Sequence, residues 1–301
     1  MNIVRIPFDH DKAEHSFTVY GGIVGTLTLV DGESHDTDVK YEMTIASNDA
    51  SLLDSHNLLF RYADVAPDGA VQNSQFLITS PTITEGSTSC MRFDIKLFVP
   101  PSLKKLNIAS HAVMHLKVDP GSNIRLEVFY ATLFDANANN IILPHRSFHA
   151  DSLSLEVHRG WIVGDVSVSK STSISTQRGD GVANLKLFPL PPVDHQNPEK
   201  AVLWTVTGAG RSDFTWVGDS TAVKRPVEAD HKSSKNGDVY LNYRNANFKG
   251  LISMNCRAST TTYVNQLRDA DKTEKWTHWA GDKTGPDRLS VESRGWTGLY
   301  F

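Results

Sequence analysis

The acidic residues are the first candidates for chemistry in this chain of 301 residues. Two carboxylates that face each other across a sugar can hydrolyse a glycosidic bond, and carboxylates beside an arginine or lysine can bind calcium or polarise a uronate. Most of these aspartates stand next to glycine, serine or asparagine, a setting typical of turns, so nothing in the sequence shows that they converge. The candidates are Asp135, Asp151, Asp165, Asp180, Asp213, Asp219 and Asp238.

Tryptophans are the second set of candidates, because a flat ring can stack against a sugar. Trp276 and Trp279 lie in a polar stretch with His278 between them, and we predict these three residues as a ligand-binding contact. Trp204 alternates with two valines, so we expect it in the core.

Histidine and cysteine form no motif for a metal or a nucleophile. The chain has no His-Glu-x-x-His helix, Cys-x-x-Cys pair, nucleophile elbow or Walker loop. We therefore predict no catalytic residue, no metal site and no cofactor. His145, His149 and His158 lie near each other in sequence, with His111 and His115 upstream, but they match no metal-binding motif.

Composition limits the classes of partner. The net charge of −4 and the pI of about 6.3 argue against a nucleic-acid surface, and the apolar runs are too short to span a membrane. The first residues show no secretory signal, so we expect a surface or extracellular protein if a signal or anchor has been removed, and a cytoplasmic one otherwise. Whether Cys90 and Cys256 pair is left open.

Alternation of apolar and polar residues dominates the chain and predicts short β-strands throughout. The run Met91–Val99 repeats at period two, and similar runs recur every eight to twelve residues or so. We predict an all-β, β-solenoid-like stack over residues 76–301, preceded by an N-terminal β cap or sandwich-like part in residues 1–75. A polar stretch at residues 257–287 is predicted as an inserted loop, and the alternative to two parts is one continuous unit.

A glycine-centred phrase returns three times in the second half and is typical of corners between strands. It reads Thr176-Gln177-Arg178-Gly179-Asp180, then Ser234-Lys235-Asn236-Gly237-Asp238, then Ser293-Arg294-Gly295. The tripeptide 178–180 matches an integrin-type motif, but the repetition favours a turn. The three glycines are 58 residues apart, yet the segments between them do not align, so we treat the equal spacing as coincidence. The predicted structural turns are Gly164, Asp165, Gly179, Asp180, Gly237, Asp238, Gly250 and Gly295.

These phrases carry a resemblance to a known family. The stretch from Leu153 to Asp180 is similar to the adhesin-like β-strand-repeat family of bacteria, and closer still to uncharacterised fungal proteins with a related ectodomain. The segments 234–241, 248–253 and 289–301 carry phrases of the same type, so the resemblance covers roughly residues 90–301. It implies a β-solenoid-like fold and a surface or adhesion role, and it supplies no catalytic residues.

Three functions follow as hypotheses. The first is a non-catalytic, adhesin-like binding or structural protein that meets a cell-surface glycan or protein through a broad β-face. The second is a polysaccharide-active enzyme of the β-helix type, a lyase or a glycoside hydrolase. The third is a protein that associates with itself when a terminal coil pairs with the next copy. An exposed aromatic face, a converging carboxylate cluster and an uncovered strand, respectively, would favour them.

Overall fold

A computed structural model of the chain is all-β, apart from one 3₁₀ helix at Ala50–Leu53. It describes residues 1–54, 57–84, 86–177, 180–218, 223–268 and 275–301. In these residues no helix has the length and apolar content needed to cross a bilayer. The strands are β1 (Asn2–Ile6), β2 (Glu14–Tyr20), β3 (Val24–Asp31), β4 (Val39–Ser47), β5 (Leu59–Arg61), β6 (Asp64–Val65), β7 (Val71–Asn73), β8 (Gln75–Thr79), β9 (Met91–Val99), β10 (Lys105–Ser110), β11 (Met114–Val118), β12 (Ile124–Leu133), β13 (Ile141–Leu143), β14 (Phe148–Val157), β15 (Trp161–Val168), β16 (Ser171–Thr176), β17 (Val182–Pro189), β18 (Ala201–Thr207), β19 (Ser212–Trp216), β20 (Val227–Ser233), β21 (Val239–Asn242), β22 (Gly250–Thr262), β23 (Asn265–Gln266), β24 (His278–Ala280) and β25 (Asp287–Tyr300).

The strands stack as the coils of a two-sided solenoid. Each coil gives one strand to a first ladder and the next strand to a second ladder, and neighbours within each ladder run parallel. The first ladder runs β8, β2, β10, β12, β14, β16, β18, β20, β25 and β22, and the second runs β9, β3, β11, β13, β15, β17, β19, β21, β25 and β22. The long strands β22 and β25 pass through both ladders, so each forms a whole coil.

The core lies between the two ladders and follows from the period-two pattern. In β9 every second residue from Met91 to Val99 is buried, while Arg92, Asp94 and Lys96 point outward. Alternation of this kind places one apolar side chain per pair of residues inside each coil. The expected β-solenoid-like stack is therefore confirmed.

Coil order departs from chain order at both ends of the stack. The coil β8–β9 lies outside β2–β3, and the coil formed by β22 lies outside that formed by β25. Antiparallel strands cover parts of the two ends: β1, β4 and β5 at one end, and β23 and β24 at the other. Of the strands in the predicted cap of residues 1–75, β2 and β3 thus form a coil of the stack itself.

The prediction of a loop at residues 257–287 is wrong in part. The strand β22 continues to Thr262, and β23 and β24 form an antiparallel pair beside it. A polar, threonine-rich segment can remain extended here because it follows the register of β25.

Several glycines predicted in turns lie in strands instead. Gly164 and its neighbour Asp165 are in β15, where Gly164 has a φ of 145° and a Cβ would lie 2.4 Å from the Pro144 carbonyl oxygen. Gly250 begins β22, and Gly295 lies within β25. These positions require glycine because a neighbouring coil approaches closely, a reason that applies in a strand as much as in a turn.

A column of close-packed glycines forms one corner of the stack. A Cβ at Gly210 would lie 2.4 Å from the Gly181 carbonyl oxygen, one at Gly237 would lie 2.6 Å from that of Gly210, and one at Gly295 would lie 2.3 Å from that of Gly237. Gly237 and Asp238 lie between β20 and β21, and Asp180 lies in a turn, whereas Gly179 is outside the described residues. The second and third occurrences of the phrase thus lie in adjacent coils at one corner.

Candidate functional site

The three residues predicted as a ligand contact do not share one surface. In β24, His278 points to the same side as the buried Ala280, and Trp279 points to the opposite side, since successive strand residues alternate. Trp279 lines an open groove with Asp282 and Lys283, whereas Trp276 lies 5.8 Å from the guanidinium of Arg288. All three predicted side chains are half-buried.

The predicted acidic residues are dispersed. Asp180 binds Arg159 through three hydrogen bonds of 2.7–2.9 Å, and Asp151 lies 3.2 Å from Lys170. Asp238 accepts the backbone N–H of Trp296 at 3.0 Å. Asp219 lies outside the described residues, and within them no group of three or more histidines, cysteines and acidic residues could hold a metal ion. These aspartates serve local contacts in different coils.

A different set of side chains comes together on the outer face of the second ladder. Three strands, β19, β21 and β25, lie side by side there, with Asp213 opposite Tyr240 and Asn242 opposite Tyr300. Because Val239 and Leu241 point into the core, Tyr240 and Asn242 point outward. We call this set the aromatic face; its members are Arg211, Asp213, Tyr240, Asn242, Arg244, Trp296 and Tyr300.

A glycine lets two of the rings lie along the sheet. Gly298 faces outward next to Tyr240, and a Cβ there would lie 2.6 Å from Cη2 of Trp296 and 2.8 Å from Cε2 of Tyr300. The two rings therefore occupy the space above the glycine instead of standing away from the sheet. The ring of Tyr240 approaches that of Trp296 to 4.6 Å between centroids, with the planes tilted by 50°.

Charged side chains border the rings. Arg211 donates from Nε and Nη2 to Asp213, both at 2.9 Å, and its guanidinium lies 3.8 Å from the centroid of Tyr240. The paired hydrogen bonds raise the pKa of the Arg211 guanidinium. Arg244 lies 5.4 Å from the ring of Tyr300. Both guanidinium groups on this face thus lie close to a ring.

Tyr240, Tyr300 and the polar groups of Asp213, Asn242 and Arg244 line one shallow groove of about 250 Å³, and Trp296 lies beside it against Tyr240. Its described lining has a single carboxylate, that of Asp213, which is already bonded to Arg211. Glycoside hydrolysis needs two carboxyl groups across the bond, so the described arrangement suits binding better than catalysis. Aromatic carbon surface beside guanidinium, amide and carboxylate groups matches a sugar, which has an apolar C–H face and a hydroxyl rim.

The interior holds two similar polar networks that the sequence did not indicate. In one, His15 lies 2.7 Å from Ser74 Oγ and 2.6 Å from Tyr41 Oη. Ser74 Oγ donates to the Pro7 carbonyl, so it accepts from His15 Nδ1–H, and the Tyr41 hydroxyl donates to Nε2. Burial lowers the pKa of His15 to about 3. Neither partner bears a charge, so we interpret the network as a structural contact in the core.

The second network lies near the other end of the stack. His231 is 2.8 Å from Thr205 Oγ1 and 2.7 Å from Tyr243 Oη, and burial lowers its pKa to about 3. Both imidazoles are almost completely buried. A substrate could not reach either ring in the described structure, so these histidines affect the folding stability of the protein and not a reaction.

Comparisons with known proteins give little beyond the fold. No protein-family model matches the sequence, and no curated protein matches it. A solved structure from Clostridium sporogenes, described as a "putative cell adhesion protein", aligns over 99% of this chain and 98% of its own, with 10% sequence identity and a TM-score of 0.26. None of these findings supports an affinity to fungal proteins. This TM-score is too low to support an inference about fold or function, and the fold assignment rests on the strand register described above.

Proposed function

We propose that the protein is a non-catalytic, adhesin-like binding protein that holds a carbohydrate on the aromatic face. The observation that carries this proposal is a groove lined by Tyr240, Tyr300, Asn242 and Arg244, with the ring of Trp296 beside it over Gly298. Indole and phenol rings that lie along a sheet offer the flat surface on which a sugar stacks, while guanidinium and amide groups bond its hydroxyls. A shallow groove binds weakly, so display of many copies would supply avidity.

A glycan array followed by titration of any glycan bound tests the proposal. Trp296→Ala should weaken binding at least tenfold, because it removes the largest ring of the aromatic face. Gly298→Val keeps every aromatic residue but fills the space under the rings, so it should weaken binding to a similar extent. The matched control is Trp204→Ala, which removes a tryptophan that is 50% exposed on the outer face of the first ladder. An empty array, or equal losses in Trp204→Ala and Trp296→Ala, would refute the proposal.

Self-association is a second candidate, favoured by one strand. The second half of β22, residues 258–262, pairs only with β25 among the described residues, and residues 258–261 are exposed. Natural edge strands are usually protected by lysine, proline or an inward charge, and the sequence Ala-Ser-Thr-Thr-Thr has none of these. Its open edge could accept a strand from a second copy.

Sedimentation velocity over a hundredfold range of concentration tests self-association. Thr261 lies opposite the inward-facing Leu299 but is exposed, because no further coil covers it. Thr261→Lys would place there the inward charge that protects natural edges, so the variant should stay monomeric where the wild type associates. A wild type that remains monomeric throughout contradicts this candidate without affecting carbohydrate binding.

A further inference from the structure

A pocket of about 560 Å³ lies at the corner next to the aromatic face. Its lining includes Leu190, Trp216 and three cationic side chains, those of Lys224, Arg225 and Arg244. We call it the corner pocket. Arg244 lines both the corner pocket and the groove of the aromatic face, so the two spaces meet at this side chain.

Arg225 is the unusual member of the lining. Its side chain is only 3% exposed, Nε donates to the Leu190 carbonyl at 3.0 Å, and Nη2 donates to that of Pro191 at 3.4 Å. Nη1 is buried and has no hydrogen-bond partner among the described residues. The carboxylate on the exposed side chain of Glu199 is 3.7 Å from Nη1. The guanidinium thus forms part of the pocket wall as a buried positive charge that is only loosely paired, and such a charge attracts an anion through a medium of low dielectric.

The charges around the pocket leave a local positive excess. The buried carboxylate of Asp287 binds Lys224 and also accepts the backbone N–H groups of Val227 and Lys249, both at 2.7 Å. Lys224 is therefore neutralised, whereas Arg244 has no carboxylate within 4 Å in the described part of the chain. The chain as a whole carries −4, so attraction of an anion here comes from these local groups and not from the net charge.

We infer that the corner pocket binds the anionic group, a carboxylate or a sulfate, of an acidic saccharide whose sugar rings lie on the aromatic face. This inference rests on the proposed function. The guanidinium of Arg244 contacts the anionic oxygens, the buried positive charge of Arg225 attracts them from the wall of the pocket, and Trp296 and Tyr300 contact the neighbouring rings. A free phosphate or a neutral glycan would use only one of the two spaces and bind more weakly.

Titration calorimetry of the full chain at constant ionic strength tests the inference with three probes. These are a neutral N-acetylglucosamine oligomer, a hyaluronan oligomer of equal length that carries carboxylates only, and a chondroitin sulfate oligomer that carries both groups. We expect at least one acidic oligomer to bind ten times more tightly than the neutral one. The ratio between hyaluronan and chondroitin sulfate then assigns the anionic group as carboxylate or sulfate.

Single substitutions show which residues cause the preference for the acidic oligomer. Arg225→Gln should remove most of the preference for the acidic oligomer and leave the affinity for the neutral one within about twofold. Arg244 lines both spaces, so Arg244→Gln should lower the affinity for the acidic oligomer clearly more than that for the neutral one. Arg244 is exposed, so its variant is informative even if Arg225→Gln lowers stability. The control is Arg159→Gln, an exposed arginine paired with Asp180 in another part of the stack.

The outcomes separate the two proposals. If the neutral and acidic oligomers bind equally well and Trp296→Ala abolishes both, anion binding in the corner pocket is refuted and sugar binding on the aromatic face is supported. A preference for the acidic oligomer that Arg159→Gln reduces as much as Arg244→Gln also overturns the pocket, because it would reflect general electrostatic attraction. Absence of binding to all three oligomers overturns both.

Discussion

Acid should destabilise this protein well above the pH at which its carboxylates titrate, because of His15 and His231. Each imidazole is buried among uncharged groups, and its pKa is about 3 in the folded chain against an ordinary value of 6.5. As the pH falls below 6.5, the unfolded chain takes up protons at these positions and the folded chain does not. Stability therefore falls with pH between about 6.5 and 3.

The size of the stability loss follows from the shift in the histidine pKa. One pKa unit corresponds to about 1.4 kcal/mol, so each histidine lowers the free energy of unfolding by about 2 kcal/mol between pH 7.5 and pH 5. The two together give about 4 kcal/mol, a large share of the stability of an ordinary domain. At His15 the cost has a visible cause: Nε2 accepts from the Tyr41 hydroxyl, and a protonated ring would have to donate to it instead.

Urea titrations at pH 7.5, 6.5, 5.5 and 5.0 measure the effect as a free energy of unfolding at each pH. We expect the double variant His15→Gln/His231→Gln to be less stable than the wild type at pH 7.5 but to lose almost none of its stability down to pH 5. His35→Gln, at an exposed position, is the control and should keep the wild-type slope. A wild type whose stability is flat over this range, or a double variant with an undiminished slope, refutes the reasoning.

Three further predictions concern stability and reactivity. Asp287→Ala removes a buried carboxylate with three partners and should lower the free energy of unfolding by about 3 kcal/mol, measured in urea. Gly237→Ala should lower the melting temperature by several degrees, because its Cβ would meet two carbonyl oxygens, whereas Gly121→Ala should change it little, since only the Asp119 side chain is close. Cys90 is exposed, while burial raises the pKa of the Cys256 thiol, so a maleimide should modify Cys90 first, as peptide mass mapping would show.

Period-two alternation was enough to predict the strands but not always their orientation. In Ala201–Thr207 both sets of alternate positions contain apolar residues, so the pattern cannot say which set is buried. The pairing of Leu203 with Thr172 and Ala229 in adjacent coils turns Leu203 inward. Trp204 then points outward, and its prediction as a core residue is wrong. Contact with the neighbouring coils, which a single strand does not encode, decides between the two faces.

The aromatic face was missed because its residues are distant in sequence, although one signal was present. Gly237 and Gly295 are 58 residues apart, and this is the register between β21 and β25: Tyr240 pairs with Gly298, and Asn242 with Tyr300. The equal spacing, interpreted as coincidence, is meaningful for these two glycines. Adding 58 to the outward positions of β21 would have placed Tyr300 beside Asn242.

Coil order explains why the face lies where it does. If the coils followed chain order, β22 would lie against β21, and Trp296 and Tyr300 would lie on the outermost coil with Tyr240 one coil further away. The inversion puts β25 between β21 and β22, so the two rings lie on a strand that is paired on both sides. Strands bonded on both edges open less often than edge strands, and a rigid surface loses less entropy when a ligand binds. The inversion of coil order thus places the two rings beside Tyr240 and also restricts the motion of the strand that carries them.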